Sequence, residues 1–409
     1  MKVGDTVLVV GLVILLAHWG YAETNDEKLD KMIRGMQNFS ITLFEIDFLW
    51  RIENDRIQNI MLAPYSMWTS LLMMYEGAGG NTLDQLRKVL TITVGEKELK
   101  EFYLERKELV NTDSPEMEVH SYQHLYVSKM YSVNYDYKHG TDEYEMGPTV
   151  MDFGARWTQI NRDITYGTNN QVYYPLKYGT VNAARMFLVS AIYFRGMWKH
   201  PFDKELTKVE PFYSERSPYK QIDKKPMMVQ TGKFAYVDDL EGLDGRVLEL
   251  PYGEDGAVVM LVMLPKRGFR VRHVLAQLRE RGLRPILDAL ESGNSTKKDV
   301  EVKIPKFNAN STVAFPYYLY QLGLEDLVNS DKTNLTRLSD SPKSLRLALS
   351  NCRQFTRIIV DERGTPGSVP KPSPANKSEV VKFHVNKPFL YLVVEKKENI
   401  ILFTGDIQK

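Results

Sequence analysis

The sequence predicts an α+β domain, and three observations carry that prediction: helical periodicity in the amino-terminal third, short β-branched and aromatic runs after residue 185, and no linker between those runs. Over residues 30–52, Phe39, Leu43, Ile46 and Trp50 recur at helical spacing, and residues 66–75 are almost wholly apolar up to a stop at Gly77. Both read as helices. The stretch 119–127 is strand-like. Beyond residue 185 the runs 186–194, 247–250, 258–264, 300–304, 389–394 and 400–403 have the composition of strands. The last two are joined by Glu395-Lys396-Lys397-Glu398-Asn399, polar residues that suit a hairpin between buried strands. One segment breaks the pattern. Residues 364–381 hold Pro366, Pro370, Pro372 and Pro374 among Gly, Ser, Lys and Asn, which favours a long, extended, exposed loop.

Composition narrows the function. The 409 residues are 43% apolar and 26% charged, enough for a large core, and 53 Lys plus Arg against 52 Asp plus Glu leave no global field to hold a nucleic acid. The single cysteine, Cys352, allows no internal disulfide and no Cys-rich zinc site, and it reads as a small buried hydrophobe. Lys2, the apolar run 7–17 and Gly20-Tyr21-Ala22 read as a signal peptide over residues 1–22, so a secreted domain over 23–409 is expected, without a membrane span. The sequons at Asn294, Asn310, Asn334 and Asn376 suit that route, whereas Asn38 lies inside a helix candidate.

Catalytic patterns are missing. No Ser sits in a GxSxG elbow, and Gly77-Ala78-Gly79-Gly80 lacks the Lys-Ser/Thr of a phosphate loop. Among the seven histidines only His120 and His124 are four apart, and they read as surface residues rather than metal ligands. No enzyme, cofactor or metal is expected. The cluster Lys266, Arg267, Arg270, Arg272, His273, Arg279, Arg281 and Arg284 reads as a solvated helix face with weak affinity for a polyanion through Arg270, Arg272, Arg279 and Arg281.

Several blocks, in order, resemble one family. Residues 59–66 (NIMLAPYS) and 77–86 (GAGGNTLDQL) come first. Then follow 191–198 (AIYFRGMW), 226–230 (PMMVQ), 248–252 (LELPY) and 305–307 (PKF), before Phe383, 388–390 (PFL) and 402–405 (LFTG). Together they resemble the serpin family from about residue 30 to 409. The resemblance implies a five-stranded main sheet, two smaller sheets, about eight or nine helices and an exposed reactive loop. It also implies a serine protease as partner, trapped when the cleaved loop inserts into the main sheet as a new central strand. Non-inhibitory members act instead as carriers, chaperones or storage proteins.

The loop departs from the family pattern after a normal start. Glu362, Gly364 and Thr365 match the hinge, but Pro366 replaces an acid and Gly367-Ser368-Val369-Pro370-Lys371-Pro372 replaces a run of small residues. A proline in a central strand removes a ladder donor. At about 1 to 3 kcal/mol for each unpaired partner, four prolines cost roughly 4 to 12 kcal/mol. Counting from either end places the scissile bond after Ser378 or after Pro374 or Ala375, a mismatch of about three residues at roughly 3.3 Å of reach each. Lys377 is the basic residue in that window and lies within the sequon of Asn376. Under the main sheet the family's buried polar cluster falls on Ala63, Ser66, Ser190 and Gln354, three of them altered, while Trp198 stands at the insertion point. The reading is therefore a loss of inhibition, with inhibition of a trypsin-like protease through Lys377 as the alternative.

Overall fold

The computed structural model describes residues 24–215, 219–292, 299–341, 347–364 and 380–409. The signal segment, Asn294, Asn376 and the loop residues Thr365, Pro366, Pro374, Ala375, Lys377 and Ser378 lie outside them. Helix α1 (Asn25–Glu53) starts at a capping box, in which Thr24 Oγ1 accepts from the Glu27 amide and the Glu27 carboxylate accepts from the Thr24 amide. Helix α2 (Pro64–Gly77) has Pro64 at its first turn and buries every residue except Glu76. A helix with no polar face must be covered all round.

Two sheets cover it. The main sheet runs β12 (Phe307–Ala314), β13 (Asn351–Val360), β5 (Met186–Gly196), β3 (Met117–Ser128) and β2 (Thr112–Asp113), with β4 (Thr149–Met151) also paired to β3. The second sheet is β1 (Ile60–Leu62), β16 (Ile400–Ile407), β15 (Phe389–Glu395), β10 (Val258–Pro265), β9 (Gly245–Tyr252) and β8 (Tyr236–Val237). The third holds β14 (Val381–His384), β11 (Asp299–Pro305), β7 (Gln221–Lys233) and β6 (Lys208–Tyr213).

These counts correct two expectations. The main sheet has six strands rather than the five the resemblance implies, two of them, β2 and β4, being too short to show a period, and the second sheet equals it in strand number. Ten α-helices, not eight or nine, occur among the described residues; several are single turns or little more, such as α9 (Pro316–Gln321) and α10 (Glu325–Val328).

Alternation along β5 shows why its run reads as continuously apolar. Phe187, Val189 and Ala191 pack under α6 (Phe153–Gly167), while Met186, Leu188, Ile192 and Phe194 enter the core shared with α2 and the second sheet. Both faces are covered. The same alternation puts His120 and His124 on the α6 face of β3, half-buried rather than on the surface. His120 stacks on Tyr193 at 6.0 Å, and His124 lies between Tyr122 and Tyr126 with Nε2 2.8 Å from Thr149 Oγ1. Cys352, as expected, is fully buried, and burial pushes its thiol far up. No helix among the described residues is long and apolar enough to cross a membrane.

Candidate functional site

Strands β5 and β13 are parallel neighbours, paired from Phe187–Asn351 to Phe194–Ile358. No strand separates them. The chain leaving β13 enters the loop, so its first residues mark where the loop would begin to insert. They are pinned there. The Trp198 amide donates to the Arg363 carbonyl at 2.9 Å, its indole Nε1 donates to the Asp361 carbonyl at 2.7 Å, and Phe202 N donates to the Glu362 carbonyl at 3.0 Å. Gly364 forms a parallel bridge with Trp198, and a Cβ at Gly364 would meet the Trp198 carbonyl and Pro201 Cβ at 2.5 Å, so the close approach requires glycine. Trp198 itself stacks on Tyr252 at 4.3 Å and 14°.

Charge locks the same corner. Arg195 pairs with Asp361 at 2.7 Å, and Lys306 Nζ lies 2.8 Å from the buried Glu362 carboxylate. Burial pushes the Glu362 carboxyl up, but the Lys306 ammonium and the hydrogen bonds outweigh it and hold the group below its usual range.

Beneath the sheet the altered cluster is fully knitted. Ser66 Oγ and Ser190 Oγ are 2.9 Å apart, and Gln354 Nε2 reaches Ser190 Oγ at 3.1 Å. The same carboxamide clamps the backbone of Ala63, accepting from its amide at 2.8 Å and donating to its carbonyl at 2.9 Å. Gln123 completes the set, donating to Ser66 Oγ at 2.9 Å and accepting from Thr69 Oγ1 at 2.8 Å. Sequence reasoning missed Gln123. It sits opposite Ser190, as Gln354 does from the other side, so the alternation of β3 was the available signal.

The basic residues do not form one patch. Arg279 and Arg281, with Arg34, Arg284 and Lys397, line a cleft of about 790 Å³ between α1, the turn joining α7 (Val271–Arg281) to α8 (Arg284–Glu291), and the β15–β16 turn. Arg279 donates there to Asn38 Oδ1 at 3.0 Å, and Asp26, Asp30, Glu280 and Glu398 share the cleft. Arg270 and Arg272 open instead into a second cavity of about 470 Å³ at the far end of α1. Of the sequons within the described residues, Asn310 is exposed on edge strand β12, while Asn334 is half-buried with Oδ1 2.8 Å from Thr336 Oγ1.

The sheet arrangement and the pinned loop origin are those of a serpin, and the comparisons agree. Residues 36–409 match the family described as Serpin (serine protease inhibitor), and the chain belongs to it. Intracellular coagulation inhibitor 2 of Tachypleus tridentatus is 24% identical, covering 94% of this chain and 93% of its own. Leukocyte elastase inhibitor of Homo sapiens is 29% identical, covering 89% and 97%. Among solved structures, native protease nexin-1 with heparin superposes at a TM-score of 0.78, with 22% identity over 93% of this chain and 99% of that one.

Proposed function

We propose that this chain is a secreted, non-catalytic serpin whose cleaved loop does not insert, so that a protease processes it as a substrate. The observation that carries the reading is the placement of Pro366, Pro370, Pro372 and Pro374 in the segment that would have to become a central strand. The closed sheet supports it. Insertion must replace the direct β5–β13 ladder and the Gln354–Ser190 bond with a strand that lacks four donors. Since the acyl bond to the protease hydrolyses in the meantime, a slowed insertion is enough to release the protease.

A second reading, inhibition of a trypsin-like protease at Lys377, is favoured by the relatives that carry inhibitor names. One experiment separates the two. Protein collected from the medium, its amino terminus sequenced, is incubated with trypsin-like and elastase-like proteases and run on a denaturing gel. The expected result is a chain starting near Glu23 that yields a cleaved product and no protease-linked band. A stable covalent complex establishes the inhibitor reading, and a chain retained in the cell with Met1 intact overturns secretion.

A further inference from the structure

The cavity at the carboxyl end of α1 has walls of unusual composition. Phe48 is buried at its base, while Ile52, Ile57 and Ile222 at its edge are 48%, 64% and 46% exposed. Three branched aliphatic side chains facing one hollow make a continuous apolar surface rather than the scattered exposure normal for soluble proteins. The volume of about 470 Å³ falls in the range of small-molecule pockets.

Around this apolar hollow stand guanidinium groups. Arg56, Arg270 and Arg272 line it, and none of them has a carboxylate within ion-pair distance among the described residues. Arg56 instead lies over the Trp50 ring at 4.9 Å. The neighbouring acids offset these charges only in part. Glu215, whose carboxylate accepts from the Val271 amide at 2.7 Å at the start of α7, lies within electrostatic reach of Arg270 without forming a contact pair. Arg51, the fourth arginine of the wall, is already held by Asp47 and Asp406 at 2.8 Å each, and Asp55 is exposed in the turn after α1.

Guanidinium groups without a contact carboxylate beside an apolar hollow complement a molecule with an anionic head and an aliphatic tail. We propose that this cavity binds a single-chain anionic amphiphile, a free long-chain carboxylate, with its head on Arg270 and Arg272 and its tail on Phe48, Ile52, Ile57 and Ile222. A sulfated polysaccharide would meet the arginines but leave the apolar wall wet, and a short carboxylate would do the same. The cavity shares no lining residue with the Trp198–Gly364 corner, so the proposal does not rest on whether the loop inserts.

Titration calorimetry with dodecanoate below its micelle concentration tests the proposal on the full secreted chain. Expected are one-to-one saturation, a raised thermal midpoint, and affinity lowered about tenfold in a variant carrying Arg270→Ala and Arg272→Ala. Ile57→Asp, in an exposed turn that can take a charge without unfolding, should weaken binding at least as much. Arg281→Ala and Arg284→Ala, in the other cleft, should leave it unchanged. Three results overturn the proposal: equal binding of dodecyltrimethylammonium, which has the tail without the negative head; unaltered affinity in the double arginine variant; or association with anionic vesicles but not with monomeric dodecanoate.

Discussion

His124 shows how one spacing serves two structures. Four residues apart on a helix, His120 and His124 would share a face and suggest a metal pair; on a strand they share a face as well, but here it is an aromatic ladder under α6. Burial pushes the His124 imidazole down to about 4, opposed in part by Asp163. The unfolded chain takes up that proton near pH 6.5. Between these two values the unfolded state binds a proton that the fold refuses, so stability is complete above about 6.5 and is lost as pH falls towards 4. His124→Gln should remove this slope. Urea midpoints measured at steps through that window should fall more steeply with pH for the wild-type protein than for the variant; parallel curves would show that His124 takes up its proton alike in both states.

At the scale of elements, the contact between α2 and the main sheet depends on one long side chain. Gln354 ties β13 to β5 through Ser190 and ties both to the start of α2 through the Ala63 backbone. Ala63 supplies no hydroxyl, and the carboxamide reaches past it to the main chain. Gln354→Ala leaves the buried Ala63 amide without a partner, while its carbonyl keeps the Met67 amide at 3.0 Å. The expected loss is therefore roughly 1 to 3 kcal/mol in chemical denaturation. A loss below about 1 kcal/mol would mean that water or a neighbour takes over these bonds. The strands that meet here were legible as apolar runs. Of the polar row Gln123–Ser190–Gln354, the family resemblance supplied Ser190 and Gln354 but not Gln123, whose alternating position on β3 looks like an ordinary wet face until the pairing partner is known.

For the whole molecule, sequence blocks in order were enough to define the architecture, since each long helix and strand carries its own period. Strand number was not legible, because β2 and β4 owe their existence to β3 alone. The behaviour of the loop depends on the same distinction between local signal and long-range partner. Insertion would put four prolines opposite the carbonyls of β5 and β13, which at present satisfy one another. Gly364 is already bridged to Trp198, and Thr365 is the last residue before Pro366 that carries a ladder donor. Cutting the loop within residues 364–381 with a non-target protease should therefore leave the thermal midpoint nearly unchanged. A rise of tens of degrees would mean that the strand inserts and that the non-inhibitory reading fails. The cause is separable by a variant carrying Pro366→Glu with Pro370→Ala, Pro372→Ala and Pro374→Ala. If cleavage raises its midpoint, the prolines alone block insertion. If it does not, the barrier lies in the sheet itself, in the Gln354 clasp and the Trp198 corner that hold β5 against β13.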